Sequence, residues 1–103
     1  MELTTSRNGI PIRLSDERWS HIIRRHPEMD GCWDMVIETL AMPDLIQAGD
    51  SGELLAVRLY DKTTLGRKYV VVAYRETSAT DGFILTAYLT RRPSQQREVL
   101  WTR

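Results

Sequence analysis

Lys68-Tyr69-Val70-Val71-Val72-Ala73-Tyr74-Arg75-Glu76 decides the fold class. The run is rich in β-branched and aromatic side chains and too short for a buried helix, so it reads as a central strand. Working outward, a period of two holds on both sides of it. Glu53 to Asp61 places Leu55, Val57 and Leu59 on one face and Ala56, Arg58 and Tyr60 on the other. Phe83 to Thr90 sets Phe83, Leu85, Ala87 and Leu89 against Ile84, Thr86, Tyr88 and Thr90. Leu45 to Ala48 is a further short strand. Turn-forming segments at Gly49–Gly52, Lys62–Arg67 and Thr77–Gly82 separate the four, as in an antiparallel meander.

Upstream the period becomes helical. In Trp19-Ser20-His21-Ile22-Ile23-Arg24-Arg25-His26, the residues Trp19, Ile22, Ile23 and His26 fall on one stripe and Arg18, His21 and Arg25 on its neighbour. One histidine should lean toward the core and the other toward solvent. Ser15 is placed to cap this helix, with Asp16 and Glu17 in its first turn, and Pro27 ends it. Asp30 can cap a second helix that carries Trp33, Val36, Ile37 and Leu40 and stops before Pro43. Met1 to Arg13 reads as a loose start or an edge strand with a turn at Asn8-Gly9. The tail from Arg91 to Arg103 is polar and basic, with Val99-Leu100-Trp101 as a short helix or a strand returning to the sheet. The expected fold is α+β in a single domain, residues 1–103: two N-terminal helices packed on one face of a four-stranded antiparallel sheet.

A chain of 103 residues, 42% hydrophobic and 27% charged, is an ordinary globular composition. It has no apolar run of membrane-spanning length and no secretory-type apolar start, so a cytoplasmic protein without membrane association is expected. The lone Cys32 excludes an internal disulfide and, with two histidines, argues against a zinc site; no metal or cofactor is expected. The net charge of zero is unevenly spread. Residues 1–57 hold five basic and ten acidic side chains, and residues 58–103 hold nine and four. A basic half suits phosphate-bearing partners, or is surface charge that happens to segregate.

The two histidines are the side chains suited to proton transfer near neutral pH. If Leu55, Val57 and Leu59 face the helices, Arg58 and Tyr60 share the free sheet face with Thr86, Tyr88 and Thr90, and Arg75 joins them if Val70, Val72 and Tyr74 are the core-facing set of its strand. Arginines, hydroxyls and a histidine together can cleave an RNA phosphodiester without metal: a base takes the 2′-hydroxyl proton, a cation steadies the phosphorane, and an acid protonates the leaving oxygen. Each residue also has an ordinary reading. His26 can cap a helix end, His21 can be solvated beside Arg18 and Arg25, and Arg58 and Arg75 can pair with acidic side chains across the sheet.

His21-Ile22-Ile23-Arg24-Arg25-His26-Pro27-Glu28, Pro43-Asp44-Leu45-Ile46, Tyr69-Val70-Val71-Val72 and Ile84-Leu85-Thr86-Ala87-Tyr88-Leu89-Thr90 together resemble the barnase, EndoU, colicin and RelE superfamily of nuclease domains, especially its phage-associated and BrnT-like members. The resemblance spans roughly residues 17 to 92. It implies a RelE- or barnase-like fold and a metal-independent endoribonuclease, commonly the toxin of a toxin–antitoxin or phage-related system, with an RNA substrate and a cognate antitoxin or immunity protein. It also implies a site in which the histidine before proline, His26, is joined by a basic or hydroxylic residue of the sheet, Arg58, Thr86 or Tyr88, with His21 as a second histidine.

The resulting assignment gives His26, His21, Arg58, Thr86 and Tyr88 catalytic roles, and Arg25, Tyr60, Arg75, Thr90 and Arg91 substrate contacts. His26 serves as base or acid and His21 or Tyr88 as its counterpart. The other readings are a catalytically inactive module that docks a protein or nucleic acid through its sheet face, favoured by the neutral total charge, and an assembly subunit that buries that face in an oligomer.

Overall fold

A computed structural model describes residues 2–103. Its first elements form a hairpin, β1 (Glu2–Thr5) and β2 (Pro11–Leu14), turned at Asn8-Gly9, where Gly9 has φ +83°. Helix α1 (Asp16–Arg25) starts as expected: the Ser15 hydroxyl accepts from the Arg18 N–H at 3.1 Å, and Asp16 and Glu17 sit at the positive end of the helix dipole. His26 closes its last turn by donating its N–H to the Ile22 carbonyl before Pro27–Met29 forms a 3-10 turn. Helix α2 (Trp33–Ala41) begins two residues later than Asp30 would set it, after Gly31 turns the chain at φ +84°, and has no side-chain cap.

The strands β3 (Leu45–Ala48), β4 (Leu54–Thr63), β5 (Gly66–Ser78) and β6 (Asp81–Thr90) are the meander read from the sequence, and β7 (Val99–Thr102) is the returning tail. The expected four-stranded antiparallel sheet is nevertheless incorrect. One curled, mixed sheet of seven strands, a half-barrel, runs in the order β1-β2-β6-β5-β4-β3-β7. It is mixed because β2 meets β6 in parallel at Arg13 and Phe83. Two strands precede the helices, so the helices are not N-terminal either. Four residues give little alternation to read, so the sequence offers an edge strand or a loose start before α1, and a strand or a helix in the tail, without deciding between them.

The face of β4 is reversed from expectation, whereas Val70, Val72 and Tyr74 of β5 face the helix-side core as the sequence suggests. Ala56, Val70, Val72, Tyr74, Ile84 and Ala87 bury with Ile22, Val36 and Leu40 on the helix side. Cross-strand pairing puts Arg58 opposite Val70, so Ala56, Arg58 and Tyr60 face the helices, while Leu55 and Val57 join Val71 and Ala73 in a second apolar cluster on the other face. Small Ala56 leaves space for the helices, and Arg58 and Tyr60 supply donors to the end of α2. In β6 the alternation breaks: the register shifts beside Ala73 and Tyr74, so Ile84 and Ala87, three residues apart, both bury on the helix side and Leu85 turns to the other. The two tryptophans Trp19 and Trp33 lock α1 to α2 edge to face, with ring centroids 5.1 Å apart. No helix is long and apolar enough to cross a membrane.

Candidate active site

Helix α1 and the 3-10 turn pack against β6. Beyond the single bridge at Phe83, the described residues give β6 a strand partner on one side alone, β5. The vacant side lets the end of α1 reach the side chains of β6. Arg18, His21, Arg25, His26, Leu85 and Thr86 thereby line one cavity of about 290 Å³. Tyr88 completes it. Its ring lies 5.7 Å from that of His26, tilted by 34°.

Both histidines are half-buried at this cavity, in place of the expected split between core and solvent. His26 leaves the helix at φ −133°, which swings its ring toward β6, and its Nδ1 lies 3.6 Å from Oε2 of Glu28. With Glu28 beside Nδ1, Nε2 is the nitrogen left for other partners. The 3-10 turn that holds Glu28 is itself fastened: the Cys32 thiol and the Thr64 hydroxyl both donate to the Glu28 carbonyl, at 3.6 and 2.6 Å. Cys32 is 2% exposed, and burial, followed by the nearby Asp30 and Glu28, pushes its thiol up; it is a structural group here. Arg18 and His21 continue into a neighbouring cavity of about 440 Å³ that Arg24 also lines, so cationic side chains extend along α1.

The remaining residues of the expected site lie elsewhere. Arg58 donates from Nη1 to the Met42 carbonyl at 2.6 Å, and its Nε stands 3.5 Å from Glu38 Oε1, buried and without a hydrogen bond of its own. Tyr60 donates to the same Glu38 oxygen at 2.6 Å; burial first, and that bond second, push its phenol up to about 12. Arg75 is turned to the Ser51 carbonyl, 2.9 Å away. Thr90 lies further along β6 than Thr86 and donates to the Arg92 carbonyl at 3.0 Å, and Arg91 is exposed beyond the strand. Thus His26, His21, Arg25, Thr86 and Tyr88 come together, and Arg58, Tyr60, Arg75, Thr90 and Arg91 do not join them. Arg18 and Glu28 belong to the cluster and were not assigned to it from sequence. The stripe spacing of Arg18 with His21 and Arg25 was the available signal for the first, and adjacency to His26-Pro27 for the second.

Among the described residues no three His, Cys, Asp or Glu side chains gather as a metal-binding set. Comparison with family models, with curated proteins and with solved structures finds no match to this chain. The chemistry of the cavity therefore carries the functional reading.

Proposed function

We propose that the chain is a metal-independent endoribonuclease that cleaves at the cavity between α1 and β6. The observation that carries the reading is the convergence of two imidazoles, two guanidinium-bearing side chains and the Thr86 hydroxyl on one small cavity, with the Tyr88 ring against one of the imidazoles. The motif resemblance to nuclease domains joins His26 to Arg58, Thr86 or Tyr88, of which the last two stand here and Arg58 does not, and it makes an antitoxin or immunity protein the natural class of partner.

In this reading an RNA phosphate sits between Arg18, Arg25 and Thr86. One of His26 and His21 takes the proton from the 2′-hydroxyl, whose oxygen forms a bond to phosphorus. The guanidinium groups neutralise the charge that grows on the phosphorane oxygens. As the bond to the 5′-oxygen breaks, the other histidine, or the Tyr88 hydroxyl, supplies a proton to it. The products are a 2′,3′-cyclic phosphate and a free 5′-hydroxyl. Glu28 holds the His26 ring through Nδ1, and Tyr88 supports its face.

The test is cleavage of a labelled RNA by the wild type and by His26→Ala, with and without EDTA. Formation of a cyclic phosphate that survives the chelator and falls by about 10²- to 10⁴-fold in the variant is expected. Equal, absent or wholly chelator-sensitive cleavage would count against the proposal. A bell-shaped rate against pH separates it from a docking module, whose binding would show a salt dependence alone.

A further inference from the structure

We infer that a second cavity beside the candidate active site is a subsite for the nucleobase next to the scissile phosphate, selecting a base that carries an amine on its edge. The inference rests on the endoribonuclease reading. The cavity, about 270 Å³, lies where β6 passes under the segment after it, with Leu55 and Val71 as its floor and Tyr88, Gln47 and Thr90 among its walls. That volume sits just below the ~300 Å³ at which drug-sized pockets begin, and suits one ring system rather than a larger ligand.

The site is built. Leu55 and Val71 are 5% and 2% exposed and form part of the apolar cluster on that face, a dry surface for a flat ring. Tyr88 lines this cavity and also stands against His26, so a base resting beside it is one side chain away from the proton chemistry. Thr86 and Thr90 point to the same face of β6, paired with Ala73 and Tyr69, and four residues of strand separate them by about 13 Å. The two cavities are therefore neighbours along one strand, as consecutive nucleotides would require.

Gln47 sets the selectivity. It is 4% exposed, and its Nε2 donates to the Ser94 carbonyl at 2.7 Å. Only the amide nitrogen can make that bond, which fixes the orientation of the group. Oε1 accepts no hydrogen bond among the described residues, and it is not sealed from solvent. Thr90 adds a second acceptor, since its hydroxyl hydrogen is engaged by the Arg92 carbonyl. Two oriented acceptors above an apolar floor pair with the amine of cytosine or adenine. The O4 of uracil, in the place of the cytosine amine, would set acceptor against acceptor. Of the two arginines that line the cavity, Arg97 is held by Asp50 at 3.0 Å from its Nη1, and Arg92 is exposed, so inorganic phosphate is the control that separates a base site from an anion site.

The experiment is an NMR titration of the labelled full chain with CMP, UMP and inorganic phosphate, following the Gln47 side-chain amide and the Ser94 and Thr90 backbone amides. CMP should perturb these signals and bind about tenfold or more tighter than UMP. Gln47→Leu and Thr90→Val should each erase the preference, with thermal melts to report folding; Thr90→Val changes a partly exposed position and serves if Gln47→Leu does not fold. Equal binding of CMP and UMP, or the same shifts with phosphate alone, overturns the proposal. Selective CMP binding without RNA cleavage retires the nuclease reading and leaves a nucleobase site, whereas cleavage indifferent to a C-to-U change beside the bond retires the subsite and leaves the nuclease.

Discussion

Two clusters in this molecule use nearly the same parts to opposite ends. On the helix side of β4, Tyr60, Arg58 and Glu38 form a closed group: the phenol donates to the carboxylate at 2.6 Å and the guanidinium to a helix-end carbonyl at 2.6 Å. At the edge of β6, Tyr88, His26 and Glu28 form an open one, bordered by a cavity and by two further cationic side chains. Residue type does not separate them. What separates them is whether donors and acceptors are already engaged by the protein or remain turned to a space where a substrate can enter. A closed group stabilises the fold, and an open one is available for chemistry.

Substitutions can break or sharpen this contrast. The largest effect belongs to the open cluster: His26→Ala should lower RNA cleavage by about 10²- to 10⁴-fold while leaving the urea midpoint nearly unchanged. The closed cluster should behave conversely. Tyr60→Phe removes a hydrogen bond to a carboxylate and should cost about 1–2 kcal/mol in urea unfolding, with the cleavage rate per folded molecule unaltered.

A subtler signature lies in alkali. The Tyr60 phenol is raised from 10.0 to about 12 in the folded protein, chiefly by burial. The folded state thus holds this proton more tightly than the unfolded state. The associated stability is complete below pH 10 and is lost as pH rises from 10 toward 12. Denaturant melts across that window should show the loss in the wild type and a smaller one in Tyr60→Phe.

The smallest effect is expected at the exposed pair of Arg13 and Asp81, 2.8 Å apart. The Arg13 hydrogen bond, ahead of its charge, holds the Asp81 carboxyl below its usual 3.8. A depressed folded value gives stability that is present above the unfolded value and lost as pH falls through the folded one. Arg13→Gln should therefore produce a slight loss of melting temperature at neutral pH that vanishes in acid and in high salt.

The sequence was most legible where a pattern is long. Ten-residue strands and an amphipathic helix capped by Ser15 repeat their signal several times, and α1, β4, β5 and β6 lie close to their expected positions. It was least legible where the outcome depends on pairing at a distance. Whether β2 lies beside β6 is written in neither strand, and the register shift in β6 changes which neighbours Leu85 meets without changing the composition of the strand. The same holds for the site. His26, His21, Thr86 and Tyr88 are recognisable as residue types, but hydrophobic alternation gives the apolar set Leu55, Val57 and Leu59 of β4 to the helices. Arg58 and Tyr60 instead face α2, where the Met42 carbonyl accepts from the guanidinium and Glu38 from the phenol.

The lone bridge between Arg13 and Phe83 joins parts of the chain seventy residues apart, and this bears on the order of folding. The meander of β4, β5 and β6 needs only nearby contacts and can form early, whereas the hairpin and α1 can dock only once β6 exists to receive them. Because one half of the candidate site rides on α1 and the other on β6, assembly of that site is a late event in folding. Partly folded chains carry all the reactive side chains and none of their mutual geometry.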